Sequence, residues 1–142
     1  MTITENRIPE KFWAGGFLYD PDANAVFLHH RDSNTKYNPN KWAFFGGLNE
    51  GNETPTQCFI RELKEEIGLK VTQDQVVPLR EYMNVELNTY RMVFYVQSSV
   101  PPEELTLGEG AGFGWVYLDK IDDYDLTDKT IEDIVYFINA KD

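Results

Sequence analysis

The stretch GLNEGNETPTQCFIRELKEEIGL, from Gly47 to Leu69, is the part of the sequence that decides the fold. Within it, Thr54 suits the N-cap of a helix and Pro55 suits the first helical position. Gln57 completes a capping box with Thr54, because its side chain can bond back to the N-cap amide. These residues predict that a helix begins at Pro55.

The same stretch also predicts where this helix ends and which face it buries. Gly68 is a natural C-cap, so the helix runs from about Pro55 to Ile67. Successive helical residues advance by about 100° around the axis, which brings the large apolar side chains onto one arc. We expect this arc to face the core, and it contains Phe59, Ile60, Leu63 and Ile67.

Three glutamates share a second arc of the predicted helix. Glu62, Glu65 and Glu66 are spaced so that each neighbours the others. A solvated acidic face would explain the spacing equally well, but no lysine ladder interleaves with these residues. The loop before the helix adds Glu50 and Glu53. Oxygen ligands from a loop and a helix suit Mg²⁺ or Mn²⁺, so the pattern favours a divalent-metal site.

Composition limits the partners of such a site. The chain has 142 residues, with 24 acidic and 13 basic side chains and a formal charge of −11. Attraction to nucleic acid needs the opposite balance, so a nucleic-acid partner is not expected. A polyphosphate substrate would need cations to mask the acidic residues. The length predicts that residues 1–142 form a single domain.

The chain carries no predicted membrane or secretion segment. Its N-terminus lacks the apolar stretch of a signal peptide, and no run of about eighteen apolar residues occurs. The one cysteine, Cys58, excludes an internal disulfide and predicts a small, partly buried helix residue. We therefore expect a cytoplasmic protein that has no membrane partner.

The remaining elements alternate between strands and helices. Apolar runs separated by turn residues predict an initial hairpin, a second hairpin that turns at Asn88 and Thr89, and a late strand. Thr127 or Thr130 is expected to cap a last helix. This order predicts an α+β fold, an α/β/α sandwich with a mixed sheet between helices. The predicted strands are Phe12–Tyr19, interrupted at Gly15 and Gly16, Ala25–His30, Trp42–Phe45, Val76–Leu87, Tyr90–Gln97 and Phe113–Leu118, and the last helix has the apolar stripe Ile131, Ile134, Val135 and Ile138.

The fixed residues of the opening stretch resemble the Nudix hydrolase family. Gly47, then Glu53 after five residues, then Arg61 to Leu69 after seven more, fill every fixed position of the box G-x(5)-E-x(7)-R-E-U-x-E-E-x-G-U, where U is bulky and apolar. Chance agreement at so many positions is negligible. The chain departs from many relatives at Phe45, where proline is common, and at Asn52, where glycine is common.

The resemblance implies a metal site and a brace. Glu62, Glu65 and Glu66 would be the main ligands of Mg²⁺ or Mn²⁺, and the backbone carbonyl of Gly47 would add another. Arg61 would pair with Glu53 and hold the loop against the helix. Such outer contacts commonly matter nearly as much as the ligands themselves.

The general base stays open between two glutamates. Glu62 serves as the base in some family members, and a glutamate on a later loop serves in others. That second role directs attention to Glu109, among the glycines of the loop at 107–112, as a candidate for both catalysis and metal binding. Glu103 and Glu104, in the same predicted loop at 98–112, are its competitors.

Other side chains are weaker candidates for substrate contacts. Adjacent strand residues face opposite ways, so at most one of His29 and His30 can enter a site, and a packing or surface role is favoured for both. Basic residues that can meet phosphates are Arg31, Lys36, Lys41 and Arg91. Aromatic residues that can stack on a base, although most should be core, are Trp13, Phe17, Trp42, Phe44 and Trp115.

The resemblance implies a Mg²⁺-dependent pyrophosphohydrolase that cleaves a diphosphate linkage by attack of water on phosphorus. A nucleoside triphosphate or a related small nucleotide is the first substrate class. The alternatives are hydrolysis of ADP-ribose, a nucleotide sugar or a dinucleoside polyphosphate, or a nucleotide-binding sensor without turnover. The oligomeric state stays open, with a homodimer as one option.

Overall fold

A computed structural model of the protein describes residues 8–34, 39–108 and 110–141. In these ranges seven strands form one mixed sheet, and two α-helices pack against it. The strands are β1 Phe12–Asp20, β2 Ala25–His30, β3 Trp42–Ala43, β4 Phe45–Leu48, β5 Val76–Asn84, β6 Thr89–Gln97 and β7 Gly112–Tyr117. The helices are α1 Pro55–Ile67 and α2 Asp128–Lys141, and short 3₁₀ turns cover Gln73–Gln75, Pro102–Glu104 and Leu118–Asp123.

Strands β1 and β2 pair over only part of their length and then separate, so the sheet is split at one end. Its main order is β3-β2-β1-β6-β5, with β4 paired to β1 and β7 paired to β2. Strands β1 and β6 are parallel, and the other pairs are antiparallel. The pairing of β1 with β2 covers only Leu18 to Asp20, after which β1 pairs with β4 and β2 pairs with β3. The sheet is therefore divided at the end where β4 meets α1.

Each face of the sheet is covered by one helix, as the sequence predicts for an α/β/α sandwich. On one face α1 contributes Cys58, Phe59, Leu63 and Ile67 to a cluster with residues such as Phe27. The second cluster joins the other face to α2 and contains Phe17, Tyr19, Val26, Leu28, Phe44, Val93, Val116, Leu118, Leu126, Ile134 and Phe137. None of the helices in the described ranges has the length and apolar character needed to span a membrane.

Helix α1 follows the predicted bounds and caps. The Thr54 hydroxyl accepts a hydrogen bond from the Gln57 amide at 3.1 Å, and the Gln57 side chain accepts one from the Thr54 amide at 2.9 Å. Gly68 ends the helix in the left-handed region, with φ of 71°. Ile60 is only half-buried, whereas Cys58 is fully buried rather than partly buried as predicted.

Strand β1 runs through Gly15 and Gly16, so the predicted interruption is wrong. The glycines serve close packing instead of a break. A Cβ atom at Gly16 would lie 1.7 Å from the carbonyl oxygen of Phe94 on the neighbouring strand β6. Only glycine permits this approach between the two parallel strands.

The predicted strand Trp42–Phe45 is two strands that break at Phe44. The ring of Phe44 packs in the α2-side cluster, whereas the ring of Phe45 packs in the α1-side cluster. The second strand continues through the two glycines that were expected to end it, because Gly46 and Gly47 pair with Gly15 and Ala14 of β1.

The second hairpin is confirmed, but its turn begins earlier than predicted. Strand β5 ends at Asn84, which pairs with Thr89, and the turn occupies residues 85–88. Val85, the first residue of the turn, is 80% exposed. Asn88 adopts a positive φ of 50°, which asparagine tolerates. Strand β7 likewise begins and ends one residue before its predicted range.

The predicted apolar stripe of α2 is wrong in part. Ile131 and Val135 are 44% and 51% exposed, so they do not face the core. Thr127 precedes the helix, and its hydroxyl accepts a hydrogen bond from the Thr130 amide at 3.3 Å. The buried face of the helix consists of Thr130, Asp133, Ile134 and Phe137. The spacing of apolar residues could not identify this face, because one of its buried residues is an aspartate.

Candidate active site

Arg61 is the centre of a group of glutamates that we call the carboxylate cluster: Glu50, Glu53, Glu62, Glu65 and Glu66. The predicted pair with Glu53 is present as a two-pronged contact, in which Arg61 Nε and Nη2 donate to the two carboxylate oxygens at 3.0 and 2.8 Å. Arg61 Nη2 also donates to the Leu48 carbonyl at 3.2 Å. These bonds tie the loop before α1 to the helix, and the hydrogen bond from Arg61 lowers the pKa of Glu53 to about 2.

The remaining nitrogen of Arg61 is shared among three further carboxylates. Its Nη1 atom lies 3.1 Å from Glu62, 2.9 Å from Glu65 and 3.4 Å from Glu50. One guanidinium therefore faces four glutamates, which leaves an excess of negative charge. Burial raises the pKa of Glu62, and the charge of Arg61 opposes this rise.

Glu66 connects the carboxylate cluster to the divided end of the sheet. Its side chain is buried, and one carboxylate oxygen accepts a hydrogen bond from the Gly46 amide at 2.9 Å. The other oxygen lies 3.7 Å from Nδ1 of His29, a buried residue of β2 that stacks on Phe45. The sequence did not assign His29 to the site. The alternation of side chains along β2 could not show that the face of the strand with His29 meets the end of α1.

Gly47 lies against the side chain of Glu62. A Cβ atom at this position would lie 2.4 Å from a carboxylate oxygen of Glu62, so a larger residue would displace that side chain. The Gly47 carbonyl accepts a contact from Cys58 Sγ at 3.6 Å. The backbone of β4 thus approaches the acidic face of α1 closely.

The donor chemistry of this region fits a divalent cation. Glu62, Glu65 and Glu66 supply carboxylate oxygens and Gly47 supplies a nearby carbonyl, which are the ligands that Mg²⁺ and Mn²⁺ prefer. In the described part of the chain, no three acidic, histidine or cysteine side chains already converge on a metal position. Arg61 instead holds Glu62 and Glu65 in ion pairs.

A cavity of about 570 Å³ opens beside the cluster, and Glu66 is part of its lining. It lies between the divided end of the sheet, the start of α2 and the β5–β6 turn. Two of its walls are aromatic, from Trp13 and Phe44. The cavity is also lined by Arg31, Ala43, Gly46, Leu48, Asn84, Glu86, Leu87, Thr89, Arg91, Thr127, Asp128, Lys129 and Thr130.

A second charged group, the Asp133 network, fixes one wall of this cavity. Asp133 on α2 is fully buried; it accepts a hydrogen bond from Arg91 Nε at 2.9 Å and one from the Tyr82 hydroxyl at 2.8 Å. Arg80 lies 3.7 Å away. Burial raises the pKa of Asp133, and the charge of Arg91 opposes this rise. The Arg91 guanidinium is thereby held 4.1 Å from the centre of the Trp13 ring.

The other predicted residues divide between the cavity, the core and the surface. Trp13, Phe44, Arg31 and Arg91 line the cavity, whereas Phe17 packs in the core. The sequence could not separate these cases. Trp115 packs against the α1-side cluster, Lys41 lies 3.7 Å from Asp125, and His30 stacks on Trp42 with ring centres 4.6 Å apart.

The predicted residues Glu109 and Lys36 lie outside the described residues. The glycines on either side of position 109 both reach the site. The Gly108 amide donates to the Glu66 carbonyl at 2.8 Å, and a Cβ atom at Gly110 would lie 2.3 Å from His29 Nε2. The competitors Glu103 and Glu104 are exposed on the Pro102–Glu104 turn.

Comparison with known proteins gives two kinds of match. A curated relative, the 8-oxo-dGTP diphosphatase of Proteus vulgaris, is 45% identical over 60 residues, which are 42% of this chain and 52% of that protein. The matched segment thus spans about half the length of that relative. The family model of the NUDIX domain matches residues 12–135, which is most of the chain.

Solved structures share the fold at low sequence identity. One, from a study of MutT from Aliivibrio salmonicida and Vibrio cholerae, has a TM-score of 0.67 at 22% identity and covers 84% of this chain and 89% of that one. Another, a bifunctional NMN adenylyltransferase/ADP ribose pyrophosphatase from Francisella tularensis with AMP and a Mn ion, has a TM-score of 0.71 at 20% identity and covers 94% of this chain and 42% of that one. Because the family model matches the whole described sheet, α1 and the first half of α2, the chain belongs to the NUDIX domain family.

Proposed function

We propose that this protein is a divalent-metal-dependent pyrophosphohydrolase that cleaves a diphosphate linkage in a nucleoside triphosphate or related small nucleotide. The observation that carries the proposal is the position of Glu66. This buried glutamate belongs to the carboxylate cluster and also lines the neighbouring cavity. A single ligand spanning both would place its phosphates beside the carboxylates and its apolar part between Trp13 and Phe44.

The carboxylates would hold the metal. Glu62, Glu65 and Glu66, with the Gly47 carbonyl, are the proposed ligands of Mg²⁺ or Mn²⁺. When bound, such a cation polarises phosphoryl oxygens and offsets charge on the leaving group. The excess of glutamates over arginine around Arg61 supports this assignment, because a bound cation would offset their mutual repulsion.

Two further roles belong to the residues around the ligands. Arg61 positions Glu62 and Glu65 through its Nη1 atom, and its contact with Glu53 keeps the loop in place. The proton of the attacking water would pass to Glu62 or to Glu109. The contacts of Gly108 and Gly110 with Glu66 and His29 support a role for the intervening residue.

The relatives support the substrate class by similarity. The Proteus vulgaris relative is named for a nucleoside triphosphate substrate, which favours that class here. The name of the Francisella tularensis structure includes an ADP ribose pyrophosphatase, so ADP-ribose is a second substrate to test. Nucleotide sugars and dinucleoside polyphosphates are the remaining substrates to test.

The test is hydrolysis of a nucleotide panel by the purified full chain with Mg²⁺, with Mn²⁺ and with chelator. We expect metal-dependent release of a nucleoside monophosphate with pyrophosphate or with a phosphorylated group. The triphosphates should be cleaved faster than ADP-ribose. Nucleotide binding without turnover under every metal condition would contradict the proposal and favour a sensor.

We also propose that residues 1–142 constitute a single Nudix domain. The support is structural, because all seven described strands join one sheet and both described helices pack on it. The cytoplasmic location and the homodimer stay predictions.

A further inference from the structure

Asn84, the last residue of β5, has a buried side-chain oxygen that has no hydrogen-bond partner among the described residues. The residue is 5% exposed and lines the cavity. Its Oδ1 atom is buried and accepts no hydrogen bond from the described residues. Such atoms are rare in folded proteins, because a buried acceptor that has given up water without a replacement is unfavourable. The oxygen is enclosed as it stands, so a ligand in the cavity would use its free hydrogen-bonding capacity after a rotation of the Asn84 side chain.

The strand register places this amide beside a fixed cation. Asn84 pairs with Thr89, and Tyr82 pairs with Arg91 on the same two strands. Side chains two positions apart share a face, so Asn84 and Arg91 are diagonal neighbours on the α2 side of the sheet. The bond from Arg91 to Asp133 keeps the guanidinium against Trp13. These contacts give the neighbour of Asn84 a defined position in the cavity wall.

The cavity walls indicate what part of a nucleotide this amide would meet. A volume of about 570 Å³ lies within the range of small-molecule sites. Trp13 and Phe44 contribute aromatic rings to the lining, with Arg91 over the ring of Trp13, and an aromatic lining suits a flat heteroaromatic ring. Asn84 Oδ1 requires an N–H or O–H donor on that ligand. A nucleobase combines the flat ring with an N–H group, and Glu66 in the same lining leaves the phosphates at the carboxylate cluster.

We propose that Asn84 is a specificity-determining residue that accepts a hydrogen bond from a ring N–H or exocyclic amino group of the substrate's nucleobase. This inference rests on the proposed function and adds the group that selects the base. It assigns recognition of the base to the end of β5, 18 to 22 residues along the chain from the proposed metal ligands Glu66, Glu65 and Glu62.

The test pairs the enzyme variant Asn84→Leu with nucleotides that lack one N–H group. Suitable pairs are GTP with ITP, ATP with purine riboside triphosphate, and UTP with N3-methyl-UTP. For the preferred base, we expect kcat/KM of the wild type to fall about tenfold or more when the N–H group is removed. Asn84→Leu should show the same loss with the intact nucleotide and little further loss with its deletion partner.

Control variants separate recognition from folding. Asn84→Asp keeps an acceptor at the same place and should retain a preference for the N–H-bearing nucleotide. Asn139→Leu makes the same change at an exposed site on α2 and should leave all kcat/KM values unchanged. Asn84→Leu should unfold at or above the wild-type temperature, because it removes a buried atom that lacks a partner.

Three outcomes would overturn the inference. If Asn84→Leu lowers kcat/KM equally for both nucleotides of every pair, Asn84 affects only the structure and not the recognition of the N–H group. If Asn84→Leu instead removes a preference for nucleotides with N7 over their 7-deaza analogues, the Asn84 amide donates a hydrogen bond to a base acceptor. Coupling to a sugar hydroxyl, seen with 2′-deoxy or 3′-deoxy nucleotides, would move recognition away from the base.

A binding measurement distinguishes this inference from the proposed function. Binding of nucleoside monophosphates is followed by tryptophan fluorescence, without any turnover. If hydrolysis fails but Asn84→Leu weakens binding of the N–H-bearing base about tenfold, the hydrolase proposal falls and the recognition proposal holds. If hydrolysis proceeds and Asn84→Leu changes neither rate nor binding, the recognition proposal falls and the hydrolase proposal holds.

Discussion

The carboxylate cluster on α1 and the Asp133 network on α2 are built from the same residue types, but their charge balance is opposite. Around Arg61, one guanidinium faces four glutamates, and the side chain of Glu65 is 54% exposed. Around Asp133, one carboxylate faces two arginines and a tyrosine hydroxyl, and it is fully buried. The carboxylate cluster therefore carries excess negative charge, whereas the carboxylate of the Asp133 network is neutralised by the arginines around it.

This difference teaches what each group can do. Excess carboxylates at a partly open surface remain available to bind a cation from solution. A buried carboxylate enclosed by its own cations is already satisfied, so it stabilises a fixed arrangement of side chains. The cluster is therefore suited to chemistry, and the network is suited to holding the cavity wall at Arg91 and Trp13.

The largest effect should come from breaking the buried pair. Asp133→Asn removes the charge that faces Arg91, so we expect the free energy of unfolding to fall by about 3 to 5 kcal/mol. Urea denaturation measures the loss. The adjacent exposed variant Glu132→Gln should change stability by less than about 0.5 kcal/mol. The double variant Asp133→Leu with Arg91→Met should recover much of the loss, and a loss below about 1 kcal/mol in Asp133→Asn would contradict a structural role.

In the carboxylate cluster we expect the converse result, a large loss of activity with little loss of stability. Glu65→Gln should lower kcat about 100-fold, equivalent to about 2.7 kcal/mol, because a proposed metal ligand is lost. Its unfolding free energy should stay within about 0.5 kcal/mol of wild type, since the side chain is half-exposed. Steady-state kinetics with the best substrate of the panel measures the effect, with Glu132→Gln as the control. Wild-type turnover in Glu65→Gln would end its assignment as a ligand.

A smaller loss should follow from Glu109→Gln. If this residue takes the proton of the attacking water, turnover should slow about tenfold or more, but less than in Glu65→Gln. Rates measured across pH, with Glu103→Gln as the matched change on the same loop, test the assignment. Unchanged turnover in Glu109→Gln would transfer the role of base to Glu62.

The smallest effect concerns the pH dependence of the brace. Arg61 lowers the pKa of Glu53 to about 2 from its ordinary value of 4.5. The stabilisation from this pair should therefore be present above about pH 4.5 and should be lost as the pH falls through about 2. Urea unfolding of wild type and Glu53→Gln at several pH values measures the difference. Cys58 and Glu50, the other groups that face Glu53, do not carry positive charge that could replace Arg61.

The contradicting outcome for the brace is a constant difference between wild type and Glu53→Gln from pH 6 to pH 2. Glu132→Gln serves again as the reference, because Glu132 is exposed and its contact with Lys129 at 3.4 Å should contribute little at any pH. Parallel curves for the two variants would show that Glu53 and Arg61 are not coupled in the folded state.

The sequence by itself determined α1, its caps and the acidic arc, because helix signals and side-chain spacing are local. Thr54, Gly68 and the three glutamates each act within a few residues of their neighbours, so their arrangement follows from helical geometry. The Arg61–Glu53 pair was also predicted, through the family pattern. The sandwich followed from the order of elements.

Only the tertiary structure decided the partners of residues distant in the chain. Asp133 meets Arg91 across 42 residues, and Gly46 bonds to Glu66 across 20. The exposed Ile131 and Val135 show the same limit, because the apolar stripe of α2 was predicted without knowledge that an arginine would draw Asp133 into the core. Long-range contacts depend on how strands align and helices dock, and residue spacing along one element does not contain that information.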